Sequence, residues 1–293
     1  NIYNLLMREL PEVEIVKRSL LKIANKAKIK DIKVFNKNLR YKISKNFSKQ
    51  LINEKITKIS RRSKYLIFHF RKKVLLLHLG MTGKILILRK KDNELFKTSF
   101  YYDLNIIPKH NHVYFLLDNG FALIYNDVRR FGYFKYYFKK KLNDISFLKN
   151  LGPEPLTNNF NEKYFKNFIK NKKKNIKSLL MDQTFVSGLG NIYVNEVLFM
   201  SKIKPVRACY NLDVQNINQL IKQIKLILKK SIMHGGSTIK DFKNSLGKSG
   251  SFQQFFKVYG KTNENCSRIS CNGKINKILI QNRATFYCPN CQI

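Results

Sequence analysis

The chain has 293 residues, of which 57 are lysine or arginine and 18 are aspartate or glutamate, so its formal net charge is +39. Such a charge repels itself in a folded chain unless a polyanion neutralises it, so nucleic acid is the expected partner. A membrane surface is the competing partner, but no apolar run approaches the ~20 residues that span a bilayer, which argues against an integral membrane protein. Hydrophobic residues make up 44% of the chain, enough for two domains and a small appendage.

The first half of the chain predicts one helix followed by a β-rich domain. From Pro11 to Ala24 the apolar residues recur at helical spacing, and the proline suits a first turn. Short β-rich runs follow up to Phe138, and Asp118-Asn119-Gly120 between two of them indicates a hairpin. Regularly spaced short strands of this kind predict a sandwich or barrel.

The second half predicts helices, at residues 162–171, 176–183, 191–201 and 214–234. The last has an apolar residue at every third or fourth position and ends at Gly235-Gly236. Before these helices, Leu151-Gly152-Pro153-Glu154-Pro155 has the composition of a linker. After them, residues 237–260 are rich in glycine, serine and lysine, and we expect a mobile loop there.

Four of the five cysteines lie near the C-terminus, as Cys266-x4-Cys271 and Cys288-x2-Cys291. Two such pairs can bring four thiolates to one structural Zn²⁺ held by a β-ribbon, which leaves the metal no open position for catalysis. Two disulfides are the alternative that the spacing leaves open. Because no secretory signal precedes the chain, we expect reduced thiols, a soluble cytoplasmic protein and an ordinary buried thiol at Cys209.

Several motifs stand at the ends of the predicted elements. They are Arg8-Glu9-Leu10-Pro11-Glu12-Val13-Glu14, Arg61-Arg62-Ser63-Lys64-Tyr65, His78-Leu79-Gly80-Met81-Thr82-Gly83, Asp127-Val128-Arg129-Arg130-Phe131-Gly132, Gly188-Leu189-Gly190-Asn191-Ile192-Tyr193 and Asn282-Arg283-Ala284-Thr285-Phe286-Tyr287-Cys288. In this order they closely resemble the bacterial formamidopyrimidine-DNA glycosylase family, from Met7 to the C-terminus. That family removes oxidised purines, such as 8-oxoguanine and formamidopyrimidines, from duplex DNA and cuts the strand as an AP lyase through a Schiff base.

The resemblance implies an α+β, multidomain fold. An N-terminal catalytic β-sandwich flanked by helices would occupy residues 7–138, and a linker residues 139–157. A helix–two-turn–helix domain would follow at 158–236, a lesion-covering loop at 237–260 and a zinc-finger β-ribbon at 261–293. The implied partner is damaged double-stranded DNA, bound by a bacterial monomer without a nucleotide cofactor or a membrane.

The resemblance also implies roles for single residues. Glu9 would be the acid that protonates the deoxyribose, Glu12 a supporting carboxylate, and Lys64 and Arg283 proton donors in the eliminations. Met81, Arg129 and Phe131 would fill the hole left by the flipped nucleotide. The other implied DNA contacts are His110, Lys173, Gly190 and Asn191.

Plainer explanations exist for several of these residues. Glu9 and Glu12 could complement a helix dipole, Met81 and Phe131 could pack in a core, and Lys173 could belong to a solvated lysine run.

The position of the family's nucleophile departs from the pattern. That nucleophile is a proline exposed when the initiator methionine is removed, whereas here Met7 is followed by Arg8 and preceded by six residues. Three explanations stay open: an error in the sequence, a weakened or monofunctional glycosylase that uses water, or a non-catalytic zinc-dependent binder of damaged DNA. Endonuclease VIII types, which share the fold, favour oxidised pyrimidines, but Glu9-Leu10-Pro11-Glu12 and the long loop favour the purine enzyme.

Overall fold

A computed structural model of the chain describes residues 8–92, 94–96, 107–237 and 252–293, with the backbone alone at 94–96 and 143. The described residues form two compact units. The first contains residues 8–149 and 235–237, and the second contains residues 150–234 and 252–293. The boundary near residue 150 lies inside the predicted linker. Met7 and residues 238–251 of the predicted lesion-covering loop lie outside the described residues.

The first unit is mostly β-structure, as its sequence predicts. Its strands are β1 (Ile29–Val34), β2 (Lys58–Arg62), β3 (Tyr65–His69), β4 (Lys73–His78), β5 (Lys84–Arg89), β6 (Glu94–Phe96), β7 (Asn111–Leu117), β8 (Phe121–Asn126) and β9 (Tyr133–Phe138). Its helices are α1 (Leu10–Ala24), α2 (Phe47–Leu51) and α3 (Ser146–Lys149). The β7–β8 hairpin turns at Gly120, whose φ of 83° a glycine adopts without strain.

The strands form two antiparallel sheets, ordered β1-β7-β8-β5-β6 and β2-β3-β4-β9. On β4, Leu75 and Leu77 face the main core between the sheets, whereas Val74 and Leu76 face a smaller cluster on the other side. This period of two is the geometry of a strand buried on both faces, and it explains why β4 is apolar without interruption. The predicted β-sandwich is confirmed.

Helix α1 packs against the main core through Val13, Val16, Leu20 and Ala24, which are fully buried. Burial of each larger side chain contributes about 1.5–3 kcal/mol, so α1 is held to the sandwich and its N-terminus has a fixed position. The first part of the predicted linker also folds onto this unit. Ile145 is buried with Ile67 and Leu76, and α3 follows it directly.

The second unit is helical and ends in a two-stranded ribbon. Its helices are α4 (Glu162–Ile169), α5 (Ile176–Leu180), α6 (Asn191–Met200) and α7 (Val214–Met233), and its strands are β10 (Asn276–Ile280) and β11 (Arg283–Tyr287). Helix α6 is apolar on nearly every side and is buried almost throughout, as expected of a central helix. Helix α7 ends where predicted, before Gly235 and Gly236, which both have φ near 80°.

Three residues that flank the ribbon strands, Arg268, Gln292 and Ile293, contact the end of α6 and the residues that follow it. Arg268 donates a hydrogen bond to the Phe199 carbonyl (2.7 Å) and lies over the Phe199 ring. Gln292 donates to the Ile203 carbonyl (2.8 Å), and the backbone of Ile293 pairs with the 202–204 segment.

Among the described helices, none is both long and apolar enough to cross a membrane.

Candidate functional site

The N-terminus of α1 carries two buried carboxylates. Glu9 is the N-cap residue and Glu12 is at the third helical position, and the two form a capping box in which Glu12 accepts from the Glu9 N–H (3.1 Å). The other Glu12 oxygen accepts from the N–H and the hydroxyl of Ser237, both at 3.0 Å. Glu9, Glu12 and Ser237 are at most 1% exposed. The Glu12 carboxylate is therefore hydrogen-bonded both to Glu9, which follows Arg8, and to Ser237, which precedes residues 238–251.

An ion pair joins α1 to the β2–β3 hairpin, which carries Lys64. Arg61 Nε lies 3.0 Å from a Glu14 oxygen, and Arg61 also donates to the Ser63 carbonyl in the turn (2.8 Å). Burial by itself would raise the pKa of Glu14, but hydrogen bonds from Lys17 and Arg61 outweigh it and lower that pKa. Ser63 has a φ of 55°, which is uncommon for serine, and Lys64 beside it is buried.

His78, at the end of β4, belongs to the surroundings of Lys64. Its ring stacks on Tyr133 with centroids 5.4 Å apart, and its Nδ1 accepts from the Gly80 N–H (3.0 Å). Burial, followed by the positive charges of Lys64 and Arg40, lowers the pKa of His78 to about 4. At neutral pH the imidazole is therefore uncharged, and its Nε2–H is left as a donor.

The turn after β4 and the turn before β9 pack backbone to backbone. A Cβ at Gly80 would lie 2.5 Å from the Gly132 nitrogen, and a Cβ at Gly132 would lie 1.7 Å from the Tyr125 hydroxyl. Only glycine fits at both positions, so the two turns lie in direct contact.

Met81 lies in the first turn, and Arg129 and Phe131 lie in the second. Phe131 is 39% exposed, and the Arg129 guanidinium lies 4.4 Å from the centre of its ring. The structure therefore brings together the three residues predicted to act as a wedge, and Phe131 is not part of the core. His110 precedes β7, and its carbonyl accepts from the Asp127 N–H (3.0 Å) at the base of the second turn.

In the second unit, the loop before α6 leaves the helix N-terminus without a side-chain cap. Gly190 is the N-cap residue. Gln183 fixes the preceding turn, since its oxygen accepts from Gly188 N–H (2.8 Å) and its NH₂ donates to the Leu189 carbonyl (2.9 Å). Uncapped N–H groups at a helix start favour an anion.

The start of α6 is joined to β11, which begins with Arg283. Asn191 donates to the Ala284 carbonyl (2.9 Å), and Asn195 accepts from the Phe286 N–H (2.7 Å). Arg283 is exposed at the end of a two-residue turn, Gln281-Asn282, in which both residues have positive φ as in a type I′ hairpin. Gly190, Asn191 and Arg283 thus lie in one region of the second unit. Lys173 is exposed in the α4–α5 loop.

A buried lysine supports the same region. Lys177, on α5, is 1% exposed and donates to the Thr285 hydroxyl and to the Ala284 carbonyl (3.2 Å). Burial, with a smaller contribution from the charge of Arg283, lowers its pKa to about 7. Lys177 was not singled out from the sequence, where it follows the lysine run Lys172–Lys174 closely and looks like a further solvated lysine.

The four C-terminal cysteines form a cluster that could hold a metal ion. All four sulfurs lie within 4.8 Å of one another, with Cys266–Cys291 at 3.7 Å and Cys271–Cys288 at 3.6 Å. Sulfurs bound tetrahedrally to zinc at 2.3 Å would be about 3.8 Å apart, so the cluster has the size of such a site. None of the five cysteines forms a disulfide, and Cys209 is a buried thiol as predicted.

Comparison with known proteins agrees with this architecture. The model of the formamidopyrimidine-DNA glycosylase N-terminal domain matches residues 7–134, and the model of the family's H2TH domain matches residues 151–243. Among relatives, the formamidopyrimidine-DNA glycosylase of Bartonella tribocorum is 38% identical and covers 98% of this chain and 100% of its own length. That of Rickettsia bellii is 40% identical and covers 98% and 99%.

Solved structures show the same agreement. The Lactococcus lactis enzyme bound non-covalently to DNA with an AP site has a TM-score of 0.81 and 36% identity, and the match covers 97% of this chain and 99% of that one. A mutant of that enzyme in complex with DNA containing Fapy-dG has a TM-score of 0.83, with the same identity and coverage. The chain belongs to the formamidopyrimidine-DNA glycosylase family. The predicted family and fold class are confirmed.

A further buried carboxylate, on α6, was not predicted from the sequence. Glu196 on α6 is 3% exposed and accepts from the backbone N–H groups of Lys257 (2.8 Å), Val258 (3.1 Å) and Tyr259 (2.8 Å). Burial raises the pKa of Glu196, and the three hydrogen bonds oppose that rise. This carboxylate anchors the segment that leads into the cysteine ribbon. A lone glutamate inside the apolar helix was the signal in the sequence.

Proposed function

We propose that this chain is a base-excision repair glycosylase that removes oxidised purines, 8-oxoguanine and formamidopyrimidines, from duplex DNA. Its membership of the family makes it a DNA-repair glycosylase, and both of its family domains are matched. The oxidised-purine preference rests on the Glu9-Leu10-Pro11-Glu12 motif, and we assign the enzyme to the bacterial cytoplasm.

The observation that carries the proposal is the fully buried pair Glu9 and Glu12 at the N-terminus of α1, directly after residue 8. A carboxyl group so placed can pass a proton to the sugar as its ring opens, because it is shielded from water and held by the helix start. In this role Glu9 donates the proton. Glu12 holds the backbone of Glu9 and therefore fixes where Glu9 points.

The remaining residues are proposed to bind and process the extruded nucleotide. Lys64 and Arg283 would supply protons in the two eliminations. Arg283 also fits a phosphate contact, because it is exposed on a ribbon held by the cysteine cluster. The other proposed DNA contacts are His110, Lys173, Gly190 and Asn191, together with the wedge formed by Met81, Arg129 and Phe131.

We assign the cysteine cluster to one structural Zn²⁺, bound by Cys266, Cys271, Cys288 and Cys291. Bound there, the ion would pin the ribbon and would take no part in the reaction, because four thiolates fill its coordination sphere. The sulfur separations support this assignment. Metal analysis of the purified protein should give one zinc per chain.

The lyase step depends on residue 8. An amine that attacks C1′ of the deoxyribose displaces the base and forms a Schiff base, from which β- and δ-elimination cut the strand. Arg8 is not the proline that the family uses, and its guanidinium stays protonated and cannot attack. The second candidate function is therefore a monofunctional glycosylase that uses water, or a binder of damaged DNA without catalysis.

One experiment separates these outcomes. The protein is mixed with a duplex carrying one 8-oxoguanine, borohydride is added to half of each sample, and released base is measured in the other half. A covalent complex and base release would support the bifunctional enzyme, and peptide mapping would show whether the amine belongs to residue 8. Base release without a complex would support the water-using enzyme. Tight binding with neither would refute catalysis, and Glu9→Gln should abolish base release if Glu9 is the acid.

A further inference from the structure

The turns that carry Met81, Arg129 and Phe131 meet on a single buried carboxylate. Asp127 follows β8 and is 0% exposed. One of its oxygens accepts from the Thr82 hydroxyl and from the Arg129 N–H (3.3 Å). The other accepts from the Tyr125 hydroxyl (2.8 Å) and the Gly132 N–H (2.9 Å). The carboxylate thus has four donors, one from the turn after β4, two from the turn before β9 and one from Tyr125 on β8.

No cation pairs with Asp127 among the residues that the structure describes. Its four donors are all neutral, so the buried carboxylate depends on every one of them for the solvation it loses. The loss of one donor therefore weakens the whole arrangement. An aspartate held in this way fixes the backbone at Thr82, Arg129 and Gly132 relative to one another.

The three positions are those that determine where the wedge side chains point. Thr82 is next to Met81, the Arg129 N–H is itself bonded, and Gly132 is next to Phe131. The Arg129 side chain is already placed, because it lies over the Phe131 ring. Its Nη1 is buried and has no hydrogen-bond partner within the part of the chain that the structure describes. A buried donor without a partner is unfavourable until an acceptor arrives. A base edge exposed by extrusion of the opposite nucleotide is an acceptor of the right kind.

We infer that Asp127 is a positioning residue that assembles the DNA-opening wedge before DNA binds, by holding both turns through Thr82, Arg129 and Gly132. It touches neither the substrate nor the reacting atoms. The inference rests on the proposed function in taking Met81, Arg129 and Phe131 as the wedge. It does not depend on the nucleophile or on whether the base is released, because the wedge acts before chemistry.

The test uses the full chain and a readout of DNA opening that needs no chemistry. The probe is a duplex in which 2-aminopurine lies opposite a tetrahydrofuran abasic analogue, which has no base to release. Stopped-flow fluorescence follows the unstacking of 2-aminopurine as the wedge enters. The first variant is Thr82→Val, which removes one donor to Asp127 while keeping the size of the side chain. The second is Asp127→Asn, which places an NH₂ group against the Arg129 or the Gly132 N–H.

The matched control is Thr57→Val, which removes a threonine hydroxyl bonded to the His69 carbonyl (3.0 Å) elsewhere in the same unit. Thr82→Val loses two hydrogen bonds, the one that its hydroxyl donates to Asp127 and the one that it accepts from the Arg129 N–H. We expect this variant to slow the unstacking step by about tenfold or more and to leave affinity for undamaged duplex within about twofold. Asp127→Asn should slow it further if it folds. Thr57→Val should leave the step unchanged.

Unstacking at the wild-type rate in Thr82→Val would overturn the inference, as would a wild-type protein that never unstacks the probe. An equal effect in Thr57→Val would also overturn it, because the effect would then be one of general stability. Failure of the proposed function has a different signature. In that case the wild-type protein would unstack 2-aminopurine but release no 8-oxoguanine from a lesion duplex.

Discussion

The buried side chain of Lys177 should make the free energy of unfolding depend on pH, because burial lowers its pKa. It is 1% exposed, and its pKa is lowered from 10.5 to about 7. At about 1.4 kcal/mol for each pKa unit, this corresponds to at most about 5 kcal/mol of unfavourable burial for the charged form. The perturbation is Lys177→Met, which keeps an unbranched side chain and removes the charge.

The sign follows from which state holds the proton. Between about pH 7 and pH 10.5 the unfolded chain keeps a proton on Lys177 that the folded chain releases, so the free energy of unfolding rises with pH. Below pH 7 both states are protonated and the slope vanishes. The free energy of unfolding of wild type minus that of Lys177→Met should therefore rise by about 2–3 kcal/mol between pH 7 and pH 9.

The assay is urea unfolding followed by far-UV circular dichroism, since the chain contains no tryptophan. Other titrating groups are shared by both proteins and cancel in the difference. Lys173→Met removes the same formal charge from an exposed position and controls for charge alone. If the difference between wild type and Lys177→Met stays flat from pH 7 to pH 9, Lys177 is equally protonated in both states and the reasoning from burial is refuted.

Three other changes have defined outcomes. Arg283→Ala should weaken binding to duplex DNA and reduce the slope of log K against log salt concentration by about one, because one phosphate contact fewer releases about one counterion fewer. A slope equal to that of wild type would show that Arg283 does not contact a phosphate. The control is Lys277→Ala, which removes another exposed charge from the ribbon. Chelating the metal should abolish DNA binding but keep most of the helical circular dichroism signal. The reason is that the ribbon depends on the cysteine cluster, whereas the helices pack through apolar side chains. DNA binding by protein shown to be metal-free would contradict this prediction. Glu12→Gln should lower the free energy of unfolding, measured by urea titration, by about 1–3 kcal/mol. The reason is that the NH₂ group of the new glutamine would face the N–H of Glu9 or of Ser237. The control is Glu54→Gln at a partly exposed position, and an equal effect of the two changes would show that the buried hydrogen bonds of Glu12 contribute little to stability.

The helices and strands could be predicted because their signals are local. Residues 10–24 and 214–233 alternate apolar and polar side chains at helical spacing, and both segments fold as helices within a residue of the predicted bounds. Within the predicted linker, residues 139–149 carry a lysine run that gave no sign that Ile145 would be buried on the outer face of β4. Burial of that kind depends on a distant strand and leaves no local pattern.

The candidate site was predicted by residue type and order, but its supporting bonds were not. Glu12 and Ser237 are 225 positions apart and share one hydrogen-bonded carboxylate, and Lys177 meets Thr285 across 108 positions. Asp127 begins one of the motifs that carry the family resemblance, but nothing in that motif indicated that its side chain would be buried. Its four donors come from positions 82, 125, 129 and 132, which only the pairing of the strands and the packing of the two turns bring together.

The sequence by itself determined the family, the α+β class and the cysteine set, because these depend on residue identity, periodicity and short spacing. Only the tertiary structure decided which buried charges are solvated by which donors. A carboxylate such as Asp127 or Glu196 is tolerated inside the protein when backbone N–H groups point at it. The directions of those groups are set by turns and helix ends that the chain acquires when it folds.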